Sequence, residues 1–394
     1  MDDRPETPPF TNKPVDIAPW EKAVGKLVNI ANLSCTLPVK FSFSTGVIYV
    51  SKSKLKRCIW LLRLVWLTLD SVYLLIISPQ VKLASVGEKE FLGFWTHTVS
   101  RLVACIISWA VAIDLQANTT LFNAIMTTRR MWKKKFGLWG EDFQGPQERS
   151  LRRVFQFCTI FFSIQAIFPI NMHLNARQSA RYWGSQLLSS EIYNSVPGMV
   201  LAAANEFLLA QVAITNCGYG TELIVSFFVI MRFYATSIIS KVKNKSLTSE
   251  RQIPLLQYRS LLTLNRINNA SCGHTVVPAI LLTSLGMNAV VLSVLIKMGN
   301  RMPFSIVLNF ILSVTLMFIG MSLTFGCGGH MLTRSQELKR MLLGEEKNIY
   351  RRKFLIACQD MRMHVGQFYY VKSSTFINCI GWTFDQAITI VFAF

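Results

Sequence analysis

The alternation of apolar and polar positions divides the chain into long apolar runs separated by basic polar stretches. Runs fall at 58–77, 91–115, 154–173, 275–298, 304–325 and 373–394. Each is near the roughly 20 helical residues that span a hydrocarbon layer. A further helical pattern covers 196–239, too long for a simple crossing. Asn205, Glu206, Gln211, Thr215 and Asn216 make its first half too polar for lipid. Its second half reads as the span, so this helix is expected to project out of the bilayer at its start. The pattern predicts an all-α membrane protein with seven transmembrane helices. Its divisions are a segment 1–57, helices one to four over 58–240, and a helical extension over 241–274. Helices five and six over 275–325, an amphipathic anchor helix within 326–372, and a last helix over 373–394 complete it. No solenoid or transporter repeat is visible.

Composition agrees: 51% of residues are hydrophobic and 16% charged. A net charge of +20 would suggest nucleic acid in a soluble protein. Here the charge falls between apolar runs, which excludes that reading. Most of the 41 Lys and Arg lie in the N-terminal segment and the connectors between helices 2 and 3, 4 and 5, and 6 and 7. The positive-inside rule therefore predicts a cytoplasmic N-terminus, long cytoplasmic helical extensions forming an anchor domain, and an extracellular C-terminus. A G-protein-coupled receptor has the opposite orientation. Four glycosylation sequons, at Asn32, Asn118, Asn244 and Asn269, fall on the predicted cytoplasmic side. The acidic, Pro-rich start gives no expectation of a cleavable signal peptide. Glycosidase sensitivity at Asn118 or Asn244 would reverse the topology.

Within the first run Arg63 and Asp70 are seven apart, so both fall on one helical face and an internal charge pair is expected. Nine cysteines show no CxxC pair, and five histidines show no metal spacing. Neither HExxH, P-loop nor Gly-x-Ser-x-Gly occurs, so neither an enzyme nor a cofactor is expected. The glycine-rich GCGG around Cys327 reads as a loop. The last run keeps polar residues at helical spacings, and such a stripe turns toward protein or water.

Several stretches are similar to the insect chemoreceptor superfamily. Ala23-Val24-Gly25 and Pro38-Val39 resemble the opening of sugar-type gustatory receptors, and TTRRMWKKKF resembles the segment after their second helix. LNRINNASCGHTVVPAILL, GCGGHMLTRSQELKRMLL and GQFYYVKSSTF resemble the start of helix five, the end of helix six and the lead into helix seven. Thr383-Phe384-Asp385 looks like the TYE start of the sugar type, while no Gln-Phe follows at the family's distance. The resemblance implies a tetrameric ligand-gated cation channel, most like a gustatory receptor, in the plasma membrane of sensory neurons. Helix seven would line the pore and pass Na+, K+ and Ca2+. Gln386, Ile390 and Phe394, spaced by four, with Ala393 beside them, are the candidate pore and gate residues. A pocket between helices two and six would take a small tastant or odorant. Its candidate residues are Trp95, His97, Gln165, Phe168, Asn205, Glu206, Asn288 and Asn309. An odorant receptor subunit working with a co-receptor is the near alternative, and a homotetramer or heteromer in lipid is the implied assembly.

Overall fold

A computed structural model describes residues 15–81, 88–136, 156, 179, 182–243, 252–302, 304–367 and 369–393. The expected third span, 154–173, lies outside this set except for residue 156.

The N-terminal segment is more than a polar leader. Helix α1 (Pro19–Leu33) packs on a hairpin of β1 (Val39–Ser42) and β2 (Val47–Val50), paired antiparallel with Val39 opposite Val50. Two asparagines finish its edges. Asn29 of α1 accepts from the Phe41 amide at 2.8 Å and donates to its carbonyl at 3.0 Å. Asn123, within the helix Leu115–Phe136, does the same for Ile48, at 2.8 and 2.7 Å. A primary amide carries one acceptor and two donors, so it can replace a neighbouring strand. Gly25 is required here, because a Cβ would lie 2.4 Å from the Phe41 ring.

Beneath the hairpin, α2 (Lys54–Ile77) and α3 (Glu88–Ile113) run as long apolar helices, and α4 (Leu115–Phe136) extends from α3 past one residue, Asp114. Glu21 of α1 is fully buried against Arg129 and Arg130 of α4, at 3.2 and 3.3 Å. Burial raises its carboxyl pKa, against the pull of the two guanidiniums and the Ala18 amide. Short helices α5 (Trp183–Leu187) and α6 (Ser190–Asn194) lead into α7 (Val196–Lys243), 48 residues in one helix. At 1.5 Å per residue it is roughly 72 Å long, far beyond a hydrocarbon layer.

Helices α8 (Gln252–Ser271), α9 (Val276–Met298), α10 (Phe304–Glu345) and α11 (Ile349–Ala357) follow. A hairpin of β3 (His364–Val365) and β4 (Tyr369–Tyr370) leads into α12 (Thr375–Ala393). The fold is mostly helical, with these two small hairpins added. Six helices are long and apolar enough to cross a membrane among the described residues: α2, α3, α7, α9, α10 and α12. Two expectations change. The GCGG stretch is helical, inside α10, and no boundary falls at 325. Gly329 lets the chain entering α12 cross close by, since a Cβ there would meet the Ser373 backbone at 2.7 Å. The amphipathic pattern after 350 yields only the nine residues of α11, then the β3–β4 hairpin.

The main core joins α1, the first hairpin, α4, the second half of α7, α8 and the lower half of α10. Ion pairs border it at the surface: Asp16 holds Lys133 at 2.9 Å, and Glu337 takes Lys243 and Arg334 at 2.8 and 2.6 Å.

Candidate functional site

Three features concentrate chemistry. The first is a buried ion triad joining three helices. Arg101 of α3 places its Nε 3.3 Å from Asp70 of α2, and its Nη2 pairs with Glu206 of α7. All three side chains are 5% exposed or less. Charges inside a membrane bundle persist only when paired, and this guanidinium serves two carboxylates. The Arg63–Asp70 pair expected from spacing does not form. Arg63 turns out of that line and donates to the Ser34 carbonyl at 2.6 Å. Glu206, one of the candidate pocket residues, thus has a partner 105 residues away in sequence.

The second feature is an apolar cluster between α2, α3, α9 and α10. Leu74, Phe91, Phe94, Val291, Val294, Met298, Phe310 and Val314 are buried in it, with Trp95, Met287 and Leu292 packed alongside. Phe91 and Phe94 meet the Trp95 ring edge-on at 6.4 and 6.0 Å. Two polar groups lack partners among the described residues: Trp95, packed on the cluster, and Asn288, which follows Met287 on α9. The Trp95 indole N–H makes no hydrogen bond, and neither amide atom of Asn288 does. Asn288 is fully buried. An unsatisfied buried amide costs about 1–3 kcal/mol, so it is retained against the stability of the fold.

The other pocket candidates scatter. His97 is buried against the Tyr182 ring, 5.7 Å away. Asn205 accepts from the Trp66 indole at 2.8 Å and lines an open groove of about 350 Å³ between α2 and α7, away from the Trp95 cluster. Gln165 and Phe168 lie outside the described residues. Asn309 is on α10, but its side chain is not among those described. Of the predicted pocket residues Trp95 packs on the apolar cluster, Asn288 is buried on α9, one of the helices around it, and Glu206 belongs to the ion triad.

The third feature is the face of α12. Its buried line is Cys379, Thr383 and Ala387, small residues that allow close approach to α9 and α10. The Thr383 hydroxyl is absorbed by the Cys379 carbonyl at 2.8 Å. Gln386 and Ile390 flank this line and are half-buried, while Ala393 is exposed. Phe394 lies outside the described residues. On the opposite side Asn378, Gly381, Asp385, Ile388 and Phe392 are all exposed, at steps of three, four, three and four. That spacing makes one continuous stripe. Of the six candidate spans α12 is the least covered: 17% of its apolar window is buried, against 67% in α7. The stripe was missed in the sequence because the choice between faces is made by α9 and α10.

The sequons can now be placed. Asn32 and Asn118 are buried, and Asn269 bonds the Arg362 carbonyl and the His364 amide. Asn244 lies outside the described residues.

No family model matches the sequence, and no curated protein matches it. Solved structures do. The insect olfactory receptor OR5 from Machilis hrabei matches with a TM-score of 0.62 at 13% identity, over 94% of this chain and 97% of that one. The same receptor in complex with eugenol matches with a TM-score of 0.66 at 13% identity, over 95% and 98%. Identity this low speaks for the fold alone, and over nearly its whole length this chain has a fold similar to that of an insect olfactory receptor.

Proposed function

We propose that this chain is a subunit of a chemosensory ligand-gated cation channel, with α12 lining the pore. The observation that carries the proposal is the bare Asn378–Gly381–Asp385–Ile388–Phe392 stripe on the least covered span. Around a fourfold axis it would present an amide ring, a carboxylate ring and two bulky apolar rings. Polar rings solvate ions, and apolar rings can gate by dewetting. This moves the pore face from Gln386 and Ile390 to the other side of the same helix. The chain would act as a tetramer in the plasma membrane of sensory neurons and pass Na+, K+ and Ca2+.

The ligand would enter the apolar cluster. Aromatic walls with one unpaired N–H at Trp95 and one unpaired amide at Asn288 suit a small, largely apolar molecule carrying one or two oxygens. A ligand bonding Asn288 would relieve an unpaid desolvation present only in the empty state. It must favour the open state by a few kcal/mol to shift the population.

Two subtypes are open. A gustatory receptor would work as a homotetramer on tastants. An odorant receptor subunit would need a related partner, and the likeness to a receptor solved with eugenol favours an odorant-like ligand. Expression alone, with sugars, bitter compounds and phenolic volatiles applied under patch clamp, separates them. Current without a partner supports the homomer. Current appearing only with a co-receptor supports the heteromer, and no current in either setting removes the channel reading.

A further inference from the structure

Helix α1 carries an uncovered stripe that changes character along its length. Pro19, Lys22, Lys26, Ile30 and Leu33 recur at three or four residues and are all exposed. The face therefore runs from lysine to bare aliphatic side chains, with Ile30 64% and Leu33 81% exposed. The opposite face is committed to the core through Trp20, Val24 and Val28.

Hydrogen bonds fix where the apolar end sits. Lys56 Nζ donates to the Asn32 carbonyl at 3.1 Å and to its side-chain oxygen at 2.8 Å. Together with the Arg63–Ser34 bond, this holds the end of α1 beside the first turns of α2. The outer face of α2 is already apolar there, with Leu55, Leu61, Leu62 and Val65 exposed. Ile30 and Leu33 continue that face sideways. Lys22 and Lys26 lie farther along α1, and Lys52 and Lys54 stand just where α2 begins. All four lysines are exposed, and none has an acidic partner among the described residues.

We propose that α1 lies in the membrane interface as a lipid-docking helix. Ile30 and Leu33 enter the acyl boundary, and Lys22, Lys26, Lys52 and Lys54 bind anionic phospholipid headgroups, of which phosphatidylserine is the test case. A basic-to-apolar face of this kind partitions into the headgroup layer, and each lysine near an anionic leaflet adds to the attraction. The proposal rests on α2 being a membrane span and on the N-terminal domain being cytoplasmic, where anionic lipid concentrates.

The test uses the full chain in nanodiscs of phosphatidylcholine and phosphatidylserine. A benzophenone amino acid replaces Leu33, and in a separate variant Leu62. Irradiation is expected to give phospholipid adducts from both positions. Lipid adducts at Leu62 with none at Leu33, or cross-links from Leu33 to a second copy, overturn the docking while leaving the span of α2 intact. Absence of lipid adducts at Leu62 instead removes the span on which the proposal rests. Phospholipid retained by the detergent-purified protein is then measured by mass spectrometry. The combined Lys22→Gln, Lys26→Gln, Lys52→Gln and Lys54→Gln variant is expected to lose about tenfold of its preference for phosphatidylserine over phosphatidylcholine. An unchanged ratio overturns the headgroup site.

Discussion

Replacing Arg101 with methionine probes the account where three helices meet. The side chain of Arg101 is 5% exposed, and it neutralises one of the two charges brought in by Asp70 and Glu206. Methionine keeps most of the volume and leaves two carboxylates buried without a cation. Breaking a buried pair in this way costs about 3–5 kcal/mol. At roughly 2 °C per kcal/mol for a chain of this size, the unfolding midpoint should fall by about 6–10 °C. Asp70→Asn should behave differently. It leaves a neutral Arg101–Glu206 pair, and because Asp70 contacts Arg101 at 3.3 Å without a proper hydrogen bond, the loss should be about 1 kcal/mol. Removing all three charges together, as Asp70→Leu, Arg101→Met and Glu206→Leu, should recover most of the loss, since apolar replacements of buried ion clusters are often neutral. Heating the detergent-solubilised protein and following the folded peak by fluorescence-detected size exclusion reads all three. An unchanged midpoint for Arg101→Met, or a triple variant worse than the single one, would refute the triad as the link between α2, α3 and α7.

Asn288→Leu should raise the unfolding midpoint of the ligand-free protein, by an amount equivalent to about 1 kcal/mol, and weaken the ligand-evoked response; a lower midpoint would show that the amide is satisfied. Gly329→Val should block the crossing of α10 and the chain entering α12, with loss of folded protein on size exclusion, whereas Gly344→Ala, with open space around it, should not. The hydrogen bonds from Lys243 and Arg334 hold the Glu337 carboxyl below its ordinary value. Its contribution is thus present above the ordinary carboxylate range and lost as pH falls through the lowered folded value, and Glu337→Gln should flatten that part of the stability–pH curve. Glycosidase treatment should leave the mobility of the protein unchanged at Asn32, Asn118 and Asn269, whose side chains are buried or bonded internally; a shift traced to Asn118 would contradict its burial.

Much of the fold was legible because membrane helices announce themselves by length. The 48 residues of α7 show as one uninterrupted helical pattern, and the runs at 58–77 and 275–298 lie close to α2 and α9. What stayed hidden depends on partners distant in sequence. The pairing of Arg101 leaves no local signal, because its carboxylates come from other helices. Arg63 and Asp70 shared a face by arithmetic, but a long arginine side chain reached the Ser34 carbonyl instead. GCGG suggested a loop because glycine weakens helices, yet at Gly329 the missing Cβ is what admits a second chain segment. The first hairpin could have been found: β-branched and aromatic residues alternate with polar ones before Gly46, which adopts φ +63 at the turn, and run unbroken from Val47 to Val50 after it. The register of α12 could not. Apolar residues occur all round it, and only the packing of Cys379, Thr383 and Ala387 against α9 and α10 decides which side remains bare.

The central claim is that the bare stripe of α12 faces the permeating ions. Its most direct test is the relative permeability to Ca2+ and Na+ of ligand-evoked current, recorded from cells expressing the chain with Asp385→Asn beside the unaltered protein. A carboxylate ring on the conduction path predicts a severalfold fall in Ca2+ preference on neutralisation, with ligand sensitivity unchanged. An identical permeability ratio for Asp385→Asn, together with an altered ratio for Gln386→Leu, would place the pore on the other side of the helix and contradict the account.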